Sequence, residues 1–105
     1  MEIIAGAGTF VPGEVNYVPQ FASKDLSVGT YSLPVGGHDD QHPHTEDEIY
    51  VVQSGRATFV TPSGSAAVGP GMVIFVPAGE AHQFTSITED LALLVFFAPP
   101  YGSRG

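Results

Sequence analysis

The chain has 105 residues, with eleven Asp and Glu against three Lys and Arg, and neither cysteine nor tryptophan. A formal charge of −8 repels phosphate backbones and anionic lipid, which argues against nucleic acid and membrane surfaces as partners. Without cysteine there are no disulfides or thiolate ligands, no apolar run reaches the roughly 20 residues of a membrane span, and the start Met1-Glu2-Ile3-Ile4 lacks a signal-peptide pattern, so one cytoplasmic domain over residues 1–105 is expected.

Thirteen Gly and nine Pro interrupt the chain every few residues, and no long stretch carries apolar residues at helical spacing. Short strands between turn signals predict an all-β sandwich or antiparallel barrel of two facing sheets. In chain order the predicted strands are Val15–Val18, Leu26–Leu33, Glu48–Gln53, Ala57–Thr61, Ser65–Val68, Met72–Val76, His82–Ile87 and Leu91–Ala98. Pro34–Gly37, Ser54-Gly55, Pro62-Ser63-Gly64, Gly69-Pro70-Gly71 and Pro77-Ala78-Gly79 supply the turns. Residues 1–9 and 102–105 are expected to be the loosest. The last strand is apolar on both faces, so its outer face needs a cover, either a second subunit or the chain's own N-terminal segment. A homodimer is the expected arrangement.

Between the second and third of these strands lies His42-Pro43-His44-Thr45-Glu46-Asp47-Glu48, and His82 follows the Pro77-Ala78-Gly79 turn. Three of the chain's four histidines therefore join a carboxylate. In an extended segment, residues 42, 44 and 48 share parity and point the same way, offering imidazole and carboxylate to one divalent Fe, Mn, Ni, Cu or Zn ion. Glu46 has the same parity and competes with Glu48; a wet bend is expected for Glu46 and an inward strand start for Glu48. His38-Asp39-Asp40 reads as a solvated turn rather than a second acid/base centre. Tyr50 and Val52 share the parity of Glu48, and Phe84 that of His82, so these three are expected to line a substrate pocket together with Phe59 and Met72. Tyr50, whose buried hydroxyl needs a partner, is the best proton-transfer candidate.

Two motifs are similar to those of the cupin superfamily. Gly36 with five residues to His42-x-His44, three to Glu48 and six to Gly55 resembles its first motif (36–55). Gly71 with five residues to Pro77, then Ala78-Gly79 and His82, resembles the second (71–86). The family pattern often has Asn where this chain has Ser86. The resemblance implies a double-stranded β-helix, or jelly-roll, barrel and a metal held by His42, His44, Glu48 and His82. It also implies that dimers are common, and that Glu48 can loosen from the metal to act as a base, as in flavonol-cleaving cupins. The scarcity of Lys and Arg disfavours sugar phosphates and other strongly anionic substrates. The leading expectation is a metal-dependent, dioxygenase-type oxidoreductase acting on a small neutral or weakly acidic organic molecule, with Glu48 and Tyr50 catalytic. A redox-neutral lyase, isomerase or cyclase is the alternative, and a non-catalytic metabolite-binding domain belongs to a third class.

Overall fold

A computed structural model describes residues 1–13, 15–40 and 43–103. Among these residues all regular structure is antiparallel β-sheet. The strands are β1 (Asn16–Ala22), β2 (Ser27–Leu33), β3 (Asp47–Thr61), β4 (Gly64–Val68), β5 (Val73–Val76) and β6 (Gln83–Ala98). They hydrogen-bond in the order β1-β2-β6-β3-β4, with β5 also on β3. No helix is long and apolar enough to cross a membrane.

Two of the predicted breaks are bends rather than ends. Ser54-Gly55 was expected to be a turn, yet β3 runs through it and keeps its pairing with β6, Ser54 opposite Ala92 and Arg56 opposite Glu89, with register irregularities on either side. Gly55 takes φ +92°, and a Cβ there would strike the Asp90 carbonyl oxygen and lie 2.6 Å from Leu91 Cα. Only glycine allows the two backbones to come so close. The second is the gap expected between Ile87 and Leu91, which β6 also runs through, with the non-glycine Ser86 just before it at φ +49°.

These bends fold the strands across the core. Glu48 and Phe59 are eleven residues apart on β3, about 35 Å in a straight strand. Both nevertheless meet His82, Glu48 through a 3.0 Å oxygen–nitrogen approach and Phe59 at a ring separation of 6.0 Å. The half of β3 before Gly55 pairs with β5 and the end of β6, and the half after it with β4 and the start of β6. The two halves thus face each other across the interior. Inward parity reverses at the corner: Glu48, Tyr50 and Val52 are buried before it, and Ala57 and Phe59 after it. β6 mirrors this, with His82 and Phe84 just before or within its first half and Leu91, Leu93, Val95 and Phe97 in its second.

The interior is closed by Leu33, Val68, Val76, Ile87, Leu91 and Leu93. On the outside, the N-terminal segment that looked loose is tied down near its end. Gly8 N–H donates to Thr30 Oγ1 at 2.7 Å, and Val11 N–H donates to Ser32 Oγ at 3.0 Å. A Cβ on Gly8 would sit 3.1 Å from Leu94, so this segment covers part of the outer face of β6. The apolar side chains left most exposed on the sheets lie instead on β5, where Val73 and Phe75 are 66% and 59% exposed.

Candidate metal centre and cavity

Two loops bring the ligand candidates together. The Pro77-Ala78-Gly79 turn is bound to the segment before β3, with Gly79 N–H donating to the His44 carbonyl at 2.7 Å and Ala78 N–H to Asp47 Oδ1 at 2.9 Å. The turn therefore delivers His82 opposite Glu48, which opens β3. Ligand atoms of His44, Glu48 and His82 all lie within 4.8 Å of one another. His42 and Gln41 lie outside the described residues. Glu46 is not in this cluster. It is buried rather than wet, at 2% exposure, and Thr45 Oγ1 donates to its Oε2 at 3.0 Å.

The electrostatics of the cluster call for a cation. His82 Nδ1–H donates to the Glu80 carbonyl at 2.9 Å, which leaves Nε2 of a neutral ring as an acceptor. Tyr50 O–H reaches that nitrogen at 3.1 Å, and Glu48 Oε1 lies 3.0 Å from it. That approach lacks hydrogen-bond geometry, and both buried Glu48 oxygens are without a hydrogen-bond donor among the described residues. Two carboxylate oxygens thus lie against the Nε2 that Tyr50 O–H reaches, with no positive group between them among the described residues, a costly arrangement in a dry interior. Burial opposes the His82 imidazolium, but the Glu48 contact, the Glu80 carbonyl and the Asp39 charge outweigh it and raise the pKa above its ordinary value. The field that holds a proton there would equally attract a divalent ion, so the donor set fits a metal.

Beside the cluster opens a cavity of about 340 Å³. Glu48, Tyr50 and Val95 lie at its buried end, while the exposed Tyr101 and Asp40 lie at its mouth. Tyr17, Tyr31, His44 and Phe97 complete the wall. No Lys or Arg lines it among the described residues. His82 borders a second, wider groove on its other side, and Asp40 lines both.

Of the side chains expected in the pocket, Tyr50 lines this cavity. Val52, Phe59 and Phe84 are buried behind it; Phe84 packs 5.0 Å from the Tyr50 ring and 4.9 Å from the Phe59 ring. Met72 is elsewhere. It precedes β5, where strand parity does not apply, is 47% exposed, and lines a groove with Arg56.

Sequence reasoning missed Asp39. Expected in a solvated turn, it is 1% exposed, accepts Tyr31 O–H at 2.6 Å on Oδ1 and accepts Phe84 N–H at 2.8 Å on Oδ2. Its carbonyl accepts Gln83 Nε2–H at 2.9 Å. Asp39 therefore ties the segment leading to His44 to β2 and to the first residues of β6. Burial, then the Asp39 hydrogen bond and charge, push the Tyr31 phenol far above its ordinary range. Tyr31 is a fixed wall, not a base. Tyr17 and Tyr101 were also missed, since they come from opposite ends of the chain.

Fold and cluster together define a small β-barrel with a His/Glu cluster that could hold a metal ion. The chain belongs to the cupin domain family, which it matches over residues 29–97. It is 45% identical over 84 residues to an uncharacterized protein of Streptomyces coelicolor, covering 80% of each chain. It is also 30% identical over 78 residues to dimethylsulfoniopropionate lyase DddQ of Ruegeria pomeroyi, covering 73% of this chain and 39% of the lyase. The chain thus spans well under half of that enzyme. Among solved structures it resembles a Thermus thermophilus protein (TM-score 0.75, 28% identity, 87% of this chain and 89% of that one). It also resembles a double-stranded β-helix cupin from Methanocaldococcus jannaschii (TM-score 0.73, 17% identity, 93% and 87%).

Proposed function

We propose that this cupin is a divalent-metal-dependent lyase that eliminates a leaving group β to a carboxylate or carbonyl without net oxidation. The observation that carries this reading is the buried Tyr50 hydroxyl at the inner end of the cavity, 3.1 Å from Nε2 of the ligand candidate His82. The likeness to a protein named as a lyase supports it. His44, Glu48 and His82, with His42 by family resemblance, would hold the ion, which when bound withdraws electron density from a substrate oxygen and acidifies the neighbouring C–H. Tyr50, as its phenolate, accepts the proton from that carbon and then releases it through the cavity to solvent, since Nε2 of His82 would be held by the ion. The C–H electron pair becomes the new C=C bond, and the leaving group departs with the electrons of its own bond. Val95 keeps water from that end, and Tyr31, held by Asp39, fixes the opposite wall.

The test is incubation of Zn(II)-, Fe(II)- and Mn(II)-loaded protein with a panel of β-substituted propanoates, dimethylsulfoniopropionate included, while following alkene formation. Turnover that is lost in Tyr50→Phe with metal binding intact is the expected result. Alkene formation unchanged in Tyr50→Phe would remove Tyr50 from the mechanism. A dioxygenase-type reaction on a neutral or weakly acidic substrate is the second reading, because a cluster of so few protein ligands leaves the open metal positions that oxygen also requires. Metal-dependent oxygen uptake with no elimination would favour it.

A further inference from the structure

The wall of the cavity carries chemistry that proton transfer at Tyr50 does not use. Tyr101 is its hub, with ring centres 4.8 Å from Phe97, 5.4 Å from His44 and 5.8 Å from Tyr17. This cluster is built in rather than incidental. Tyr101 is anchored by its N–H donating to Ser27 Oγ at 3.0 Å. The Tyr17 ring lies where a Gly29 side chain would be, its Cε1 2.6 Å from the position of a Cβ. Glycine inside a strand weakens it, and here that cost makes room for one aromatic ring in the wall.

The charge beside these rings has one sign. Asp40 is at the mouth and Glu48 at the inner end, with no Lys or Arg between them among the described residues. Burial raises the Tyr17 phenol, and the charge of Glu48 adds to it. Aromatic rings with acids beside them, and room at the small end of ligand pockets (roughly 300–1,000 Å³), suit a cation too large and weakly hydrated for an ion pair.

We infer that the mouth half of the cavity, formed by Tyr17, Phe97, Tyr101 and Asp40, binds a permanently charged onium group, trimethylammonium or dimethylsulfonium, of a zwitterion whose anionic end reaches the His44–Glu48–His82 centre. The placement of that anionic end rests on the metal reading proposed above; the onium subsite does not. The metal and the acids give the cavity opposite polarity at its two ends, so a zwitterion enters in one orientation.

The experiment compares glycine betaine with 3,3-dimethylbutanoate, of the same shape and carboxylate but with carbon in place of the charged nitrogen. Binding to metal-free and Zn(II)-loaded protein is measured by calorimetry at fixed ionic strength, with tetramethylammonium as a probe lacking an anionic end. Betaine should bind roughly tenfold tighter than its isostere. Tyr101→Phe should keep that ratio, while Tyr101→Leu and Asp40→Asn lower it. Tyr101 is exposed, so the leucine variant is expected to fold. Equal binding of the pair, tighter binding of the isostere, or no binding of betaine or tetramethylammonium overturns the assignment. Tetramethylammonium is read on metal-free protein, so a failed metal centre leaves the onium test standing. Conversely, a loaded metal with a betaine ratio of one sinks the onium subsite alone.

Discussion

Replacing Asp39 separates its two roles, since its carboxylate carries both a backbone and a side-chain partner. Asp39→Ala leaves Tyr31 O–H and Phe84 N–H, now 2.6 and 2.8 Å from carboxylate oxygens, buried without acceptors. At about 1–3 kcal/mol per unpaired buried donor, the variant should lose roughly 3–5 kcal/mol, a large share of the ~5–15 kcal/mol typical of a domain. Asp39→Asn should cost far less, about 1–2 kcal/mol, because its carbonyl can still accept from Phe84 while its NH₂ donates to a rotated Tyr31 hydroxyl. Urea unfolding of metal-free protein reads both as midpoint shifts at constant slope. A second readout follows the sign of the Tyr31 shift. The folded chain keeps that phenol protonated above its ordinary 10.0, whereas the unfolded chain releases the proton near that value. The stabilisation is complete below pH 10 and declines above it, by about 1.4 kcal/mol per pH unit. In Asp39→Asn the phenol should ionise at lower pH, seen in its near-ultraviolet absorbance. An alanine variant within about 1 kcal/mol of wild type, or an asparagine variant as damaged as alanine, would refute this account of the Asp39 tie.

Four further predictions follow from the corner, the metal centre and the outer surface. Gly55→Ala meets backbone on β6 that has no flexible end to yield, and should cost at least about 3 kcal/mol in thermal unfolding; a loss below about 1 kcal/mol would show that the corner opens easily. Ser86→Asn suits the left-handed backbone better than Ser and should gain about 0.5–1 kcal/mol, read as a rise in Tm of a few degrees; no gain would mean that Ser86 is not strained. His44→Ala or His82→Ala should weaken Zn(II) binding by about 100-fold or more while His38→Ala leaves it unchanged, as titration against a chelating indicator can test; equal effects would dissolve the proposed centre. A homodimer would cover Phe75 and Val73, so light scattering should find dimers in wild type and monomers in Phe75→Glu; monomeric wild type at high concentration refutes it.

The all-β class was legible because glycine and proline density and the lack of helical period are properties of composition. Glu48, Tyr50 and Val52 could be given a common inward face because Asp47–Val52 is an uninterrupted stretch of strand. Met72 went astray because it stands in the turn before β5, where alternation has not begun. The role of Asp39 was hidden: an acidic residue between glycine and ligands reads as solvated unless the folded chain supplies Tyr31 and Phe84. Tyr17 and Tyr101 lie 84 positions apart and meet only when β1 and the segment after β6 flank the same opening, which no local pattern announces.

The corner at Gly55 gives the proposed metal centre a long lever. Glu48 lies seven residues before the hinge, an arm of about 23 Å, so a swing of only one degree moves its carboxylate by about 0.4 Å. Metal–ligand distances tolerate about 0.2 Å. On the metal reading proposed above, the tightness with which Gly55 presses on Asp90 and Leu91 would set the spread between Glu48 and His82, and with it the size of the ion that fits. Substitutions at Asp90 or Leu91, which touch no ligand, should accordingly change the relative affinities for smaller and larger divalent ions. Competition between Zn(II) and Mn(II) measures the effect, and unchanged preference across a series of such variants would show that the arm is held by its neighbours rather than by its hinge.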